Sequence, residues 1–394
     1  MREVEALAEF EGRGPGTDAE RRAAVHLERR LRELGREAEV EPIEVRPNWP
    51  LAHAIHGLAA IVGSVVAVST PVAGVAVLAV VAVSALGDLT GAFHLARRLT
   101  GWRASQNVVS EEDSGRPGTL VLVAHYDAGR TGAVFGPRAL RRRARVGRLL
   151  RRPVGPFQPF FLAIAVVLAC AILRLVGVDP SAVAVVQFAA TVALIVSVPL
   201  LADVALSGVV PGANDNASGV ATVLRLAERY GGSLDHFDVW VVLTGAQEAF
   251  AQGARAFARS RRRRLDSETT VFLCVDEVGA GTVRWIGREG PLVARPHHHE
   301  LLAICERIAD EDAADEDRYG ARSILSRSIG DAHQVRAAGF AAASVTCRNE
   351  LDYAPRHHQP DDVPENVDPD ALDRAFGFCS ELVELVDEEV GPRL

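Results

Sequence analysis

The chain has 394 residues, of which 48% are hydrophobic, and a formal net charge of −8. That length suits two average domains or one large α/β domain with insertions, and an acidic balance argues against a nucleic-acid binder, which carries a basic footprint. Its five cysteines (Cys170, Cys274, Cys305, Cys347, Cys379) are scattered without a CxxC pair, a distribution that suits free buried thiols rather than a disulfide framework or thiolate metal site.

The opening stretch, MREVEALAEFEGRGPGTDAERRAAVHLERRLRELG, is charged and lacks the apolar core of a signal peptide. Within it, TDAERRAAVHLERRLRELG reads as an N-capped amphipathic helix closed by glycine, and REAEVEPIEV follows as an alternating strand. Next comes an apolar block too long for one membrane span, with STP in its middle as a turn. Residues 51–69 and 72–93 are each long enough to cross a membrane, which takes about 20 residues, although Asp88 lies near the end of the second. TLVLVAHYD (119–127) is a short apolar strand that ends in polar residues. A second apolar block divides at VDP (178–180) into 157–177 and 181–206, with Arg174 and Asp203 near segment ends, where they can reach the interface. The competing reading is a set of helices buried in a soluble core, which four nearly uncharged segments do not favour.

Beyond residue 208 the pattern alternates: a helix over 216–232, the strand FDVWVVLTG, a helix over 249–264, the strand TTVFLCVDEVG, the strand AAASVTC (341–347) and a closing helix, PDALDRAFGFCSELVELVDEEV. Continuous apolar strands alternating with helices predict an α/β fold with a mixed, mostly parallel sheet flanked by helices and interrupted by two transmembrane helical hairpins.

Arginine placement predicts orientation. ALRRRARVGRLLRRP (139–153) precedes the third segment, ARRLTGWR follows the second, and the turns at 69–71 and 178–180 carry no Lys or Arg. The positive-inside rule then puts both hairpin bases and the soluble remainder in the cytoplasm, making this an integral membrane protein with four spans. These clusters, with RSRRRR at 259–264, are expected to meet anionic lipid headgroups rather than nucleic acid. Trp49 and Trp102 suit an aromatic belt, and His53 and His56 an interfacial position. HHH at 297–299 reads as a solvated helix start.

Parallel sheets carry their sites at the carboxyl ends of strands, and the candidate ligands lie there. They are His125 and Asp127 in AHYDAG, Asp215 in GANDNASG, Glu248 in AQEAF, Asp276 in CVDEVG, and His357 and His358 in RHHQPDD. Imidazoles and carboxylates without thiolates suit zinc in a hydrolytic site, with cobalt or manganese as alternatives. Taken singly, an Asp before a helix is more often a cap, and a lone His or Glu at a strand end is usually solvated.

On HYD, GANDNASG, QE, DEVG and HQPDD, together with the amino-terminal helix and strand, the sequence resembles the di-zinc exopeptidases related to bacterial leucyl aminopeptidase, aminopeptidase Y and glutamate carboxypeptidase. The resemblance implies a helix-sandwiched mixed sheet, two Zn2+ ions, and a peptide or N-terminal amino acid as substrate. It makes Asp215 the bridging carboxylate, His125 and Asp276 the rest of one metal site, and Glu248 and His358 the rest of the other. His357 competes with His358, whose spacing to Asp362 fits better. Asp127 would orient His125, and Asp331 matches a family Asp near the pocket. Because His125 and the amino-terminal helix belong to one fold, each apolar block must cross the membrane an even number of times. The peptidase-like domain is then split over 1–48, 104–135 and 209–394, with hairpins at 51–95 and within 136–208.

One position departs from the pattern. The family's general-base Glu is Gln247 here, and an amide accepts no proton at neutral pH. Three readings follow: a hydrolase with its base elsewhere, a metal- and peptide-binding pseudopeptidase, and a membrane scaffold. Glu277 is the nearest replacement base, but strand alternation points it away from Asp276.

Overall fold

The computed structural model describes residues 1–178 and 181–393. The expected turn at 178–180 therefore falls, at 179 and 180, outside the described residues. The helices are α1 (Arg2–Ala8), α2 (Asp18–Glu33), α3 (Trp49–Ser69), α4 (Pro71–Leu89), α5 (Pro137–Leu149), α6 (Phe157–Leu175), α7 (Ser181–Leu206), α8 (Ser218–Tyr230), α9 (Gln252–Arg261), α10 (His299–Asp315), α11 (Asp331–Ala337) and α12 (Pro369–Glu389). The strands are β1 (Glu39–Val45), β2 (Arg103–Ser110), β3 (Gly118–His125), β4 (Phe237–Thr244), β5 (Thr270–Asp276), β6 (Thr282–Glu289), β7 (Arg295–Pro296), β8 (Arg322–Ser326) and β9 (Ala341–Arg348).

All nine strands form one mixed sheet in the order β1-β2-β4-β3-β5-β9-β6-β7, with β8 also on β6. The centre, β4-β3-β5-β9, is parallel, and antiparallel pairs flank it. Strand alternation explains why these segments read as unbroken apolar runs. Leu120 and Leu122 of β3 enter a core with α2, α8, α10 and α12, whereas Val121 and Val123 enter a second core with α9 and α11. Both faces are covered, so nearly every position is buried, the exceptions lying near strand ends, and each large apolar side chain contributes about 1.5–3 kcal/mol. Thr17 caps α2 by accepting the main-chain N–H of Glu20.

Four helices, α3, α4, α6 and α7, are long and apolar enough to cross a membrane. They share a core of their own built from Ala60, Leu78, Val81, Ile164, Val167 and Leu194. Val65, Val72, Val80, Leu162, Phe188 and Val196 point outward and are exposed.

Several expectations need correction here. The second apolar helix ends at Leu89 rather than 93, where Gly91 takes a left-handed conformation and Asp88 is buried against Arg97 (2.6 Å) and His94 (2.6 Å). His53 and His56, expected at the interface, do not face outward. Both are buried, His53 3.3 Å from Asp88 and His56 2.8 Å from Ser84. His297 is no solvated residue either, since it is buried 3.2 Å from the buried carboxylate of Glu289. The helix expected over 249–264 is a short turn at Gln247–Ala249 followed by α9, because Phe250 and Ala251 are both left-handed.

Candidate metal centre

His125 is the last residue of β3, and Asp276 the last of β5. Neighbouring parallel strands ending at one level bring their side chains together, His125 Nε2 to 3.2 Å from Asp276 Oδ1. β4 ends beside them, with His125 opposite Thr244, and the chain turns at once through Gly245 and left-handed Ala246 into Gln247 and Glu248. That turn is held by Asp127, whose two carboxylate oxygens accept the main-chain N–H groups of Gln247 and Glu248, both at 3.0 Å. His125 Nδ1 lies 3.1 Å from the Asp127 carbonyl and 3.5 Å from its carboxylate. Asp127 thus positions three residues, whereas the resemblance implied only His125.

GANDNASG spends nearly all its polar groups on fixing its own loop. Asn214 Oδ1 accepts from Gly279 N (2.7 Å), Asn216 Oδ1 from Gly219 N (3.0 Å) and Glu277 N (2.9 Å), and Ser218 Oγ from Val278 N (3.0 Å). Asp362 accepts the N–H groups of Asn214 (2.8 Å) and Asp215 (3.1 Å). Burial first, then the Asp215 charge, pushes the Asp362 carboxyl up to about 7. Arg13, fully buried, clasps the other side of the loop by donating to the carbonyls of Tyr126 (2.7 Å) and Gly212 (2.6 Å). Asp215 stands out, because its buried Oδ2 takes no hydrogen bond from the loop and faces the imidazoles of His357 and His358 instead.

Around Asp215 gather two groups whose candidate donor atoms lie within 4.8 Å of one another: His125, Asp215 and Asp276, and Asp215, His357 and His358. Asp215 belongs to both. Its Oδ1 is 3.4 Å from His125 Nε2, and its Oδ2 is 3.1 Å from His357 Nδ1 and 3.4 Å from His358 Nε2. Glu248 joins through His358, at 3.0 Å. Both histidines of the pair therefore reach the shared carboxylate, where spacing favoured His358. Gly129 supplies the room: a Cβ there would sit 2.5 Å from His358 Nε2 and 2.8 Å from Glu248 Oε1.

Electrostatically the cluster favours a cation. Burial would raise the Asp215 carboxyl, but hydrogen bonding from His125 and His357 holds it well below the usual range. Burial, reinforced by the charges of Glu277 and Asp215, pushes Asp276 up despite His125. Buried carboxylates facing imidazoles form an oxygen and nitrogen donor set that suits zinc.

Glu277 is the main correction at the site. Strand pairing stops at Asp276, and Glu277 adopts a left-handed φ of 52° that breaks the alternation. Its carboxylate faces the centre, 2.8 Å from His357 Nδ1 and 2.9 Å from Arg348. Burial raises that carboxyl, but Arg348 and His357 prevail and hold it below its ordinary value. Trp49 is the second correction. It is not a lipid-belt residue: its indole donates to the Glu248 carbonyl at 2.9 Å and stacks on Phe250. Sequence signals for Asp362 existed in the spacing HQPDD; Glu277 was marked only by its place next to Asp276, and nothing marked Trp49 for the site. Asp331 is buried and accepts from Thr244 Oγ1 (2.7 Å) beneath the cluster.

Residues 197–383 match the family profile Peptidase family M28. The fold extends further than the matched segment. A Zn-dependent exopeptidase from Parabacteroides distasonis ATCC 8503 aligns at a TM-score of 0.54 and 12% identity, covering 98% of this chain and 96% of that one. LapB from Legionella pneumophila aligns at 0.52 and 11% identity, covering 99% and 70%. A glutaminyl cyclase from Tannerella forsythia aligns at 0.55 and 12% identity, covering 97% and 96%. No curated protein matches the chain. In chain order the apolar helices fall between strands of the sheet, α3 and α4 between β1 and β2, and α6 and α7 between β3 and β4.

Proposed function

We propose that this chain is a membrane-anchored, metal-dependent peptidase of the M28 type that hydrolyses amides of amino-acid substrates. The observation that carries the reading is Asp215, a buried carboxylate flanked by imidazoles and common to two potential ligand groups. His125 and Asp276 would hold one zinc ion with Asp215, and His358 and Glu248 the other, with His357 adjoining. Bound there, zinc supplies Lewis acidity toward a carbonyl and lowers the pKa of water.

The chain's own residues define the rest. Asp127 fixes the Gln247–Glu248 turn and the His125 ring together. Gln247 lines the pocket, where its amide can orient water or substrate but cannot take a proton. Loss of a positioned base forfeits on the order of 10²–10⁴ in rate, so turnover is slow for the fold. Glu277 faces the same pocket, but its contacts with Arg348 and His357 make it a weak proton acceptor. Gln247 also favours a second reading, a pseudopeptidase that binds metal and peptide without cutting.

The four apolar helices, with exposed valines and leucines on their outer faces, support membrane anchoring through two hairpins. Arginine placement supports a cytoplasmic peptidase domain with its basic segments at anionic headgroups. A side-specific reporter fused to the carboxyl terminus tests this, and a reporter found outside the cell overturns the orientation. For function, amino-acid p-nitroanilides are assayed with and without chelator. Slow, chelator-sensitive release supports the peptidase, whereas retained zinc with no release supports the pseudopeptidase.

A further inference from the structure

The pocket in front of the candidate centre measures about 660 Å³, within the roughly 300–1,000 Å³ of small-molecule sites. Its inner end is polar, formed by Asp215, Gln247, Glu248, Asp276 and His358. The apolar helices supply another part of its lining, with Phe160 on α6 and Ser197, Leu200, Leu201 and Val204 on α7. One cavity therefore joins a hydrolytic donor set to helices of membrane-spanning length. A substrate filling it must present a polar, scissile end and a long apolar end at once.

The helix α5 supplies a third chemical feature. Its Arg143 lines the same cavity and is half-buried, and no acid pairs with it among the described residues. Of the other lining arginines, Arg348 is paired with Glu277 (2.9 Å) and Arg322 with Asp352 (2.6 Å), while Arg151 and Arg152 are exposed to solvent rather than half-buried. A half-buried guanidinium without a counter-ion is a site for a ligand carboxylate.

We propose that the substrate is a long-chain N-acyl amino acid or N-acyl peptide, its chain against Phe160, Leu201 and Val204 and its carboxylate on Arg143. This rests on the amide-hydrolase reading and deepens it. Hydrolysis would break the acyl C–N bond, place the water's hydroxyl on the acyl carbon and its proton on the leaving nitrogen, and release a fatty acid and a free amine.

The test is binding, measured on the zinc-loaded full chain in phosphatidylcholine nanodiscs with empty discs subtracted. N-hexadecanoylglycine is expected to bind at least about 100-fold tighter than N-acetylglycine, since each CH2 removed from water is worth roughly fourfold. Leu201→Trp, which narrows the α7 wall, is expected to weaken the long-chain ligand about tenfold and spare the acetyl one. Arg143→Glu is expected to weaken N-hexadecanoylglycine but not its glycinamide. Equal affinity for the two chain lengths overturns the proposal, as does competition by phosphatidylglycerol equal to that of the acyl amino acid. The chain-length comparison uses the unmodified protein and so stands even if a variant misfolds. Chain-length-dependent binding without hydrolysis would sink the peptidase reading alone, and hydrolysis of short soluble substrates without a chain-length effect would sink this one alone.

Discussion

The indole of Trp49 donates to the main-chain carbonyl of Glu248 at 2.9 Å, so the first residue of the first apolar helix touches the turn that carries a candidate metal ligand. Arg97 reinforces the contact: it donates to the Ala249 carbonyl (2.9 Å), pairs with Asp88 (2.6 Å) and lies over the Phe250 ring. The hairpin is therefore part of the scaffold of the site. Trp49→Phe keeps the ring and deletes the donor. It is expected to lower kcat/KM about fivefold, the worth of one buried hydrogen bond of about 1 kcal/mol, with zinc content unchanged. Unaltered kinetics would detach the hairpin from the site.

Gly129→Ala should act on one half of the centre. Its Cβ would meet His358 and Glu248 first, at 2.5 and 2.8 Å. Zinc titration is expected to show one site retained and the other weakened about tenfold or more, with an unchanged circular dichroism spectrum. Two intact sites would contradict the assignment of Glu248 and His358 as partners.

Gln247→Glu supplies the missing proton acceptor on a turn already fixed by Asp127. Turnover of a p-nitroanilide is expected to rise by about 10²–10⁴ in kcat with little change in KM. A silent wild type beside an active variant would make the natural chain a pseudopeptidase.

Stability should fall with rising pH through Glu20. This buried carboxyl sits at about 8, raised first by burial and then by the charge of Asp127, against hydrogen bonds from Ser105, Gly16 and Ala246. The folded chain keeps a proton that the unfolded chain loses near its ordinary value of 4.5. The group's penalty is therefore absent below that value and grows as pH rises to about 8. Glu20→Gln, which cannot ionise, is expected to flatten the fall in Tm between those limits. An unchanged slope would remove Glu20 as its source.

Much of this molecule is legible in its sequence, for identifiable physical reasons. β3, β4, β5 and β9 are buried on both faces and so appear as apolar runs ending at His125, Thr244, Asp276 and Arg348. β2 and β6 are less visible because they bury polar residues that find partners only in three dimensions. Asn107 donates to the Gly253 carbonyl (3.1 Å), Arg284 to that of Gly320 (2.8 Å), and Glu289 lies 3.2 Å from His297. At the site, the residues of HYD, GANDNASG and QE lie close in sequence to the strand or helix that carries them. Glu277 defeats alternation because a left-handed residue turns it back toward the centre. Trp49 reads as a membrane residue by position, and only its long-range hydrogen bond shows otherwise.

The central claim is that Asp215 is shared by a metal centre in this chain. Its most direct test is the zinc content of the purified full-length protein and of Asp215→Asn, by mass spectrometry after dialysis against metal-free buffer. The account predicts about two zinc ions per chain in the wild type and loss of both in the variant, with folding retained. A wild type that holds no zinc, or a variant that holds as much as the wild type, would contradict it.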